Sequence, residues 1–212
     1  MKPYLFLGCL LASCTSPHFN ETADTKLFSC DGLFSANPGP EELADLFGSE
    51  NLSEGEIDVG EGISEPGTLL FEQQLNQKIA ILWDSQEQKH RIRQVRISGE
   101  ASSWATESGI SLGSSLNEIE GINREPFRLS GFGWDYGGTV TSWGSGVLRN
   151  ADAGNSCRLT LRLAPASDLT AESGIADSWY SQVLGEREYS SDHPAMQALN
   201  PEVYEMILSY EL

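Results

Sequence analysis

The sequence predicts an α+β fold, a mostly antiparallel sheet with short helices on one face. Three observations carry that expectation. Runs rich in Val, Ile, Leu and Trp recur between Gly, Asn and Asp turn signals, in the order of hairpins rather than of strand–helix–strand crossovers. The segments with helix start signals, at Pro40 and Ser115, are short. Pro126 to Leu148 reads as an aromatic β-hairpin, with Trp134 and Trp143 on either side of Asp135-Tyr136-Gly137-Gly138.

In chain order, Pro40-Glu-Glu-Leu-Ala-Asp-Leu-Phe-Gly48 has proline in the first turn, acids that favour a helix N-terminus and a glycine stop. It predicts a helix with Leu43, Leu46 and Phe47 on one face. Strands are expected at 56–60, 67–72 and 78–83, then a polar turn from Asp84 to Arg91 and a strand from Gln94 through Trp104. Ser115-Leu-Asn-Glu118 matches a capping box, in which the Ser oxygen and the Glu carboxylate each satisfy an orphan helix amide. That helix is expected to stop near Gly121. In the hairpin, Gly137 and Gly138 can take the positive φ of a tight turn. Cys157-Arg-Leu-Thr-Leu-Arg-Leu163 alternates as a half-buried strand does. The tail from Ser190 to Tyr204 reads as a turn, a short helical piece and a proline break. A final strand is expected over 203–212, with Tyr204, Met206, Leu208 and Tyr210 on one side.

Leu43, Leu46 and Gly48 match Leu116, Ile119 and Gly121 at one offset, and Gly67-Thr68-Leu69 matches Gly138-Thr139-Val140 at nearly the same one. Ile79, Ile81 and Trp83 correspond to Leu159, Leu161 and Leu163. A tandem helix-plus-three-strand repeat is one expectation from these matches, and coincidence of similar units is the other. A true repeat implies one antiparallel sheet with both helices packed on one face.

The chain opens with one cation, Lys2, an apolar run too short to span a bilayer, and Leu11-Ala12-Ser13-Cys14. That ending resembles the bacterial lipobox, whose cysteine is diacylated and becomes the mature N-terminus. Residues 1–13 are thus expected to be a lipoprotein signal peptide, and 14–29 a flexible tether lipidated at Cys14. Residues 30–212 are expected to form a single globular α+β domain. Thr15 follows the cysteine where Asp would mark inner-membrane retention, so the expected address is the outer membrane, facing the periplasm. The domain keeps two cysteines, Cys30 and Cys157, and two cysteines in an exported chain most often pair. A reactive cysteine is the alternative, without a nearby Cys-x-x-Cys or His to support it.

The chain carries 13 Lys+Arg against 31 Asp+Glu, a formal net charge of −18. A surface this acidic disfavours nucleic acid and anionic lipid headgroups, which leaves a lipid at Cys14 as the expected membrane attachment and an envelope protein as the expected partner. No cofactor is expected.

Trp104, Gly109-Ile-Ser-Leu-Gly-Ser-Ser-Leu-Asn-Glu-Ile119, the Asn123-x-x-Pro126-Phe127 link and Gly131-Phe-Gly-Trp-Asp-Tyr-Gly-Gly138 together resemble a family of uncharacterised bacterial exported proteins and lipoproteins. The resemblance spans most of residues 40 to 210, including Ser191-Asp-His-Pro-Ala-Met196, although Arg124 stands where that pattern has Gly. It implies no activity and transfers no catalytic residues. More distantly, the helix-plus-three-strand duplication is similar to small secreted or envelope modules such as the β-lactamase inhibitory protein and outer-membrane assembly lipoproteins. These bind proteins, so the likeness implies a binding role.

Gly109-Ile-Ser111-Leu-Gly113, with later Asp152, Asp168 and Asp177 and a lone His193, has the chain order of a serine hydrolase elbow. The elbow needs its serine at a sharp strand-to-helix turn, whereas here the helix starts late and a hairpin follows. No catalytic residue is assigned, and a hydrolase using Ser111 stands as the alternative. His18, His90 and His193 are scattered, and Asn150-Ala-Asp152-Ala-Gly154-Asn155 lacks the alternating acids of a calcium loop, so no metal ligands are assigned. Trp134, Asp135, Tyr136 and Trp143 are the candidate binding surface, for a protein or, in a third reading, a carbohydrate.

Overall fold

The computed structural model describes residues 25–35, 37–99, 101–150, 157–166 and 178–210. Cys14, His18, Asp152, Asn155, Asp168 and Asp177 lie outside the described residues.

The fold is α+β and almost wholly antiparallel. Among the described residues, six strands form the main sheet: β2 (Leu52–Gly60), β3 (Ile63–Leu70), β4 (Ile79–Trp83), β5 (Ile92–Ser98), β9 (Cys157–Ala164) and β11 (Glu202–Tyr210). Their spatial order is β2-β3-β4-β5-β11-β9. The short β1 (Lys26–Leu27) pairs in parallel with β6 (Trp104–Ala105). A third sheet has the order β10-β7-β8, from Glu188–Ser190, Arg128–Ser130 and Val140–Ser142.

Alternation decides which side chains of the main sheet enter the core. Ile79, Ile81 and Trp83 of β4, Val95 and Ile97 of β5, Leu161 and Leu163 of β9, and Met206 and Leu208 of β11 all join one buried cluster. The helices supply the other side of it: Leu43 from α1 (Pro40–Phe47), Leu116 and Ile119 from α2 (Leu116–Asn123), and Ala195, Met196 and Leu199 from α3 (Pro194–Leu199). Helices eight residues long or less are marginal on their own, so this shared apolar face stabilises them.

Local signals fix several ends. Gly48 stops α1, its amide donating to the Ala44 carbonyl. Both halves of the capping box start α2: the Glu118 amide donates to Ser115 Oγ at 3.3 Å, and the Ser115 amide to Glu118 Oε2 at 2.8 Å. The helix runs past Gly121 to Asn123 and ends on Arg124 in the left-handed region, φ 63°. Leu46 is 55 % exposed rather than on the buried face of α1.

Several expected strands are divided or shifted. The run from Gln94 through Trp104 is two elements, because Gly99 turns the chain at φ 127° after β5. The aromatic hairpin has only three residues in each strand, with Leu129 opposite Val140, so its connection spans 131–139 instead of a tight turn at 135–138. A bulge between Val203 and Glu205 breaks the alternation expected for Tyr204.

The tandem arrangement is not reproduced in space. After α1, the strands β2, β3 and β4 are neighbours in one sheet. After α2, β7 and β8 pair with β10 in a separate sheet, while β9 lies at the edge of the main one.

Cys30 and Cys157 form a disulfide across 127 residues, Cα to Cα 5.6 Å, joining the segment after β1 to the start of β9. In the chain-entropy account, removing it with Cys30→Ala and Cys157→Ala lowers the unfolding free energy by about 5 kcal/mol, read as a fall in the urea midpoint without loss of the native circular dichroism spectrum.

Candidate functional site

The strand registers assemble the sheet face turned away from the helices. Leu82, Gln94, Ser209 and Arg158 form one row across β4, β5, β11 and β9. Ala80, Arg96, Ile207 and Thr160 form the next, and Ser98, Glu205 and Arg162 the third. Part of this face is covered by the chain's own hairpin. β3 pairs with β4 only from Thr68 to Leu70, while β2 and β3 continue pairing to Gly60 and Ile63. The free length folds over the sheet, and Ile57 packs with Leu69 and Leu82 in a second small core, flanked by Val59 and Ala80. Gly67 permits the bend, since a Cβ there would overlap Ile57 and the Ile81 carbonyl.

Beside this arm lies a charged cluster. Arg96 donates from Nε and Nη2 to Glu205 Oε1 at 2.9 and 2.5 Å, and from Nη1 to the Asp58 carbonyl of the arm at 2.9 Å. Arg162 donates from Nη1 to the other oxygen, Glu205 Oε2, at 2.8 Å. The side chains of Arg96, Glu205 and Arg162 are 8, 7 and 12 % exposed. Burying ions costs several kcal/mol each, and only full pairing offsets that cost. One carboxylate thus serves two guanidiniums. Arg93 Nη2 meets Glu65 Oε2 at 2.6 Å, with both side chains about a third exposed.

Arg93, Arg96, Arg162 and Glu65 border a groove of about 390 Å³, with Val59 and Ile207 as its apolar surface, and Glu205 joins them as the partner of Arg96 and Arg162. Three guanidiniums and two carboxylates leave one surplus positive charge there, in a chain of net charge −18. Among the described residues, the buried Nε atoms of Arg93 and Arg162 have no hydrogen-bond partner.

The aromatic connection closes one side of the groove. The Leu163 amide donates to the Gly138 carbonyl at 3.0 Å, and Thr139 bridges Arg162, so the connection is bonded to the free edge of β9. Gly138 has φ 69°, and a Cβ on it would overlap the Leu163 carbonyl. The Tyr136 ring then sits 5.2 Å from the Arg162 guanidinium carbon. A Cβ built on Gly60 would be 3.2 Å from that ring. Asp135 Oδ2 accepts from the Glu61 amide at 2.5 Å, fixing the connection to the tip of the β2–β3 arm. Trp134 lies edge-on to Tyr136, centroids 5.5 Å apart, and its Nε1 donates to the Gly131 carbonyl at 3.0 Å. Trp134 and Tyr136 are half-buried and Asp135 is exposed.

Trp143 is elsewhere. Its ring is 5.4 Å from Phe127, and its carbonyl accepts from the buried Asn123 side chain. It borders an apolar cavity of about 160 Å³ beside Cys30, together with Phe28, Leu148 and Leu159. The four residues expected to form one surface therefore divide between two places.

Ser111 is half-buried in an isolated bridge to Ala105, its Oγ donating to the Leu112 carbonyl at 3.3 Å. α2 starts only at Leu116, so Ser111 is not at a strand-to-helix elbow. His193 caps α3, its Nδ1 accepting from the Ala195 amide at 3.2 Å, and its ring lies against Tyr189. The hydrogen bonds of Ser111 and of His193 do not connect the two. Among the described residues, no three His, Cys, Asp or Glu side chains are grouped to hold a metal ion.

Reading the sequence for aromatic and catalytic patterns missed Arg93, Arg96, Arg162 and Glu205. The usable signal was a carboxylate inside the apolar run Val203-Tyr-Glu-Met-Ile-Leu208, a placement that burial makes costly unless a cation faces it.

Glu205→Gln leaves two buried guanidiniums without their shared anion and is expected to cost about 3–5 kcal/mol, whereas Glu65→Gln, at a partly exposed pair, costs under about 1 kcal/mol. Urea unfolding of the two variants measures the contrast. Burial pushes the Tyr210 phenol up to about 12 from its ordinary value of 10.0. Burial also raises the Tyr204 phenol, against the opposing charge of Arg162. Above about pH 10 the unfolded chain ionises these phenols while the folded chain does not. Their contribution to stability is present below that pH and lost as pH rises towards 12. Ultraviolet titration should show late-ionising phenols, one of which disappears in Tyr210→Phe. Compared with family models, curated proteins and solved structures, the chain matches none.

Proposed function

We propose that this chain is a non-catalytic binding module of the bacterial envelope, lipidated at Cys14 and attached to the outer membrane facing the periplasm. In this reading it engages an envelope protein through the Trp134-Asp135-Tyr136 tip and the groove beside it. The observation that carries the proposal is the bracing of that tip. The Asp135 carboxylate accepts from the Glu61 amide, Tyr136 lies over Arg162, and the Gly138 carbonyl is bonded to β9. Half-buried aromatic rings held in this way lose little conformational entropy on binding, the property that makes Trp and Tyr effective anchors. The lipobox-like Leu-Ala-Ser-Cys14 supports the membrane address, and the resemblance to exported bacterial proteins agrees with it.

Two measurements test the reading. Globomycin treatment or Cys14→Ser should shift the protein out of the membrane fraction; unchanged fractionation rejects the lipid anchor. Trp134→Ala should reduce recovery of the partner in cross-linked pull-downs from envelope extracts by at least about tenfold, as loss of an aromatic anchor does. Its urea midpoint should change little. Recovery equal to that of the parent protein rejects the tip as the contact surface.

A further inference from the structure

We infer that the groove between the β2–β3 arm and Tyr136 is a carboxylate-binding site, in which Arg162 and Arg93 bind one monovalent carboxylate attached to an apolar or aromatic body. The inference rests on the binding role proposed above and names the chemistry that the site recognises.

Donor capacity is the first argument. A guanidinium has five N–H donors and cannot be deprotonated in a protein. Arg96 places three of its donors, one from each nitrogen, on Glu205 and the Asp58 carbonyl and acts as part of the floor. Arg162 places one hydrogen bond on Glu205 and meets the Tyr204 phenol, and Arg93 places one on Glu65, which leaves each with N–H groups to spare in side chains that line the same groove. Buried N–H groups without partners are rare, because each forfeits the hydrogen bonds it made in water. Here two guanidiniums around one groove carry such an atom.

Charge gives the second argument. The cluster has an excess of one positive charge, although the chain as a whole is strongly acidic. A single carboxylate cancels that excess. A phosphate dianion would reverse it inside a field that already repels anions. The carboxylates of Asp58 in β2 and Asp135 in the aromatic connection accept from the Gly60 and Glu61 amides, and neither pairs with these arginines.

Shape gives the third. Val59 and Ile207 offer apolar surface to the body of the ligand, and Tyr136 stands over the Arg162 guanidinium. A ring over a guanidinium holds it in place, and its remaining N–H groups can make the charge-assisted contact that carboxylates form with arginine. The ligand is thus a free small carboxylate with an apolar body, or such a group on the partner protein.

Titration of the folded protein with benzoate, N-acetylphenylalanine, its uncharged amide and inorganic phosphate tests the site. The readout is the Nε–H signals of the arginines in nitrogen–proton NMR spectra. Saturable shifts of the Arg162 and Arg93 signals are expected with both carboxylates but not with the amide, weakening as salt is added. Arg93→Gln, at a partly exposed position, should weaken benzoate binding about tenfold, the loss of one charge-assisted hydrogen bond. Arg162→Gln should abolish it if the variant remains folded. No saturable shift, equal response to the amide, tighter binding of phosphate, or unchanged affinity in Arg93→Gln would each overturn the inference. If partner recovery still depends on Trp134 while no carboxylate binds, this inference fails and the proposed binding role stands. Competition by N-acetylphenylalanine for the partner assigns the carboxylate to that protein; its absence assigns the site to a free small carboxylate.

Discussion

Glu205 has two oxygens, and the electrostatic order of the open sheet face depends on both. One is occupied by Arg96 of β5 and the other by Arg162 of β9, the strands that flank β11. The same Arg96 donates to the Asp58 carbonyl, and the same Arg162 carries Tyr136 above it. A single buried carboxylate therefore links the folded-over arm, the middle of the sheet and the aromatic connection. Ion clusters of this kind are poor sources of net stability compared with apolar packing, but removing one member leaves the others buried and unbalanced. Here the three partners sit on adjacent strands, so a one-residue slip of β11 would carry Glu205 to the opposite face, away from both arginines.

This links the acidic composition to the groove. Most of the acidic residues can stay in water, where charge costs little and favours solubility. The basic residues are scarcer, and Arg93, Arg96 and Arg162 are placed where the sheet face is most enclosed. Three of the 13 basic residues thereby meet at one concave place on the open sheet face.

Much of the fold was legible because its signals are local. Pro40 with Gly48 and the Ser115–Glu118 box delimit helices through backbone groups a few residues away, and Cys157–Leu163 declares its buried face by simple alternation. The errors share a cause. Gly67, Gly99 and the glycines around Trp134 were visible as turn formers, but what each turn approaches is decided by distant residues: Ile57 and Ile81, Tyr204, and Leu163. The candidate site was half legible for the same reason. Trp134, Asp135 and Tyr136 announced themselves as an unusual aromatic turn. Trp143 did so as well, yet Asn123 and Phe127 hold it at the core margin beside the disulfide. Alternation along Cys157–Leu163 sets Arg162 on the face opposite the leucines, but nothing local shows that Glu205 meets it and Arg96.

The position of β11 carries a consequence for how the sheet is completed. It follows the other five strands in sequence, yet lies between β5 and β9. Until it docks, β5 and β9 each keep an unpaired edge, and Met206 and Leu208 are missing from the middle of the core. Such edges are templates for pairing with other chains. The disulfide can bring Cys157 and the start of β9 near the first residues of the domain, but it cannot fill the gap. Under oxidising conditions the cross-link and the last strand are therefore in competition for time. A chain whose β11 segment is delayed or removed would be covalently closed yet open along its centre, a form suited to strand exchange and aggregation.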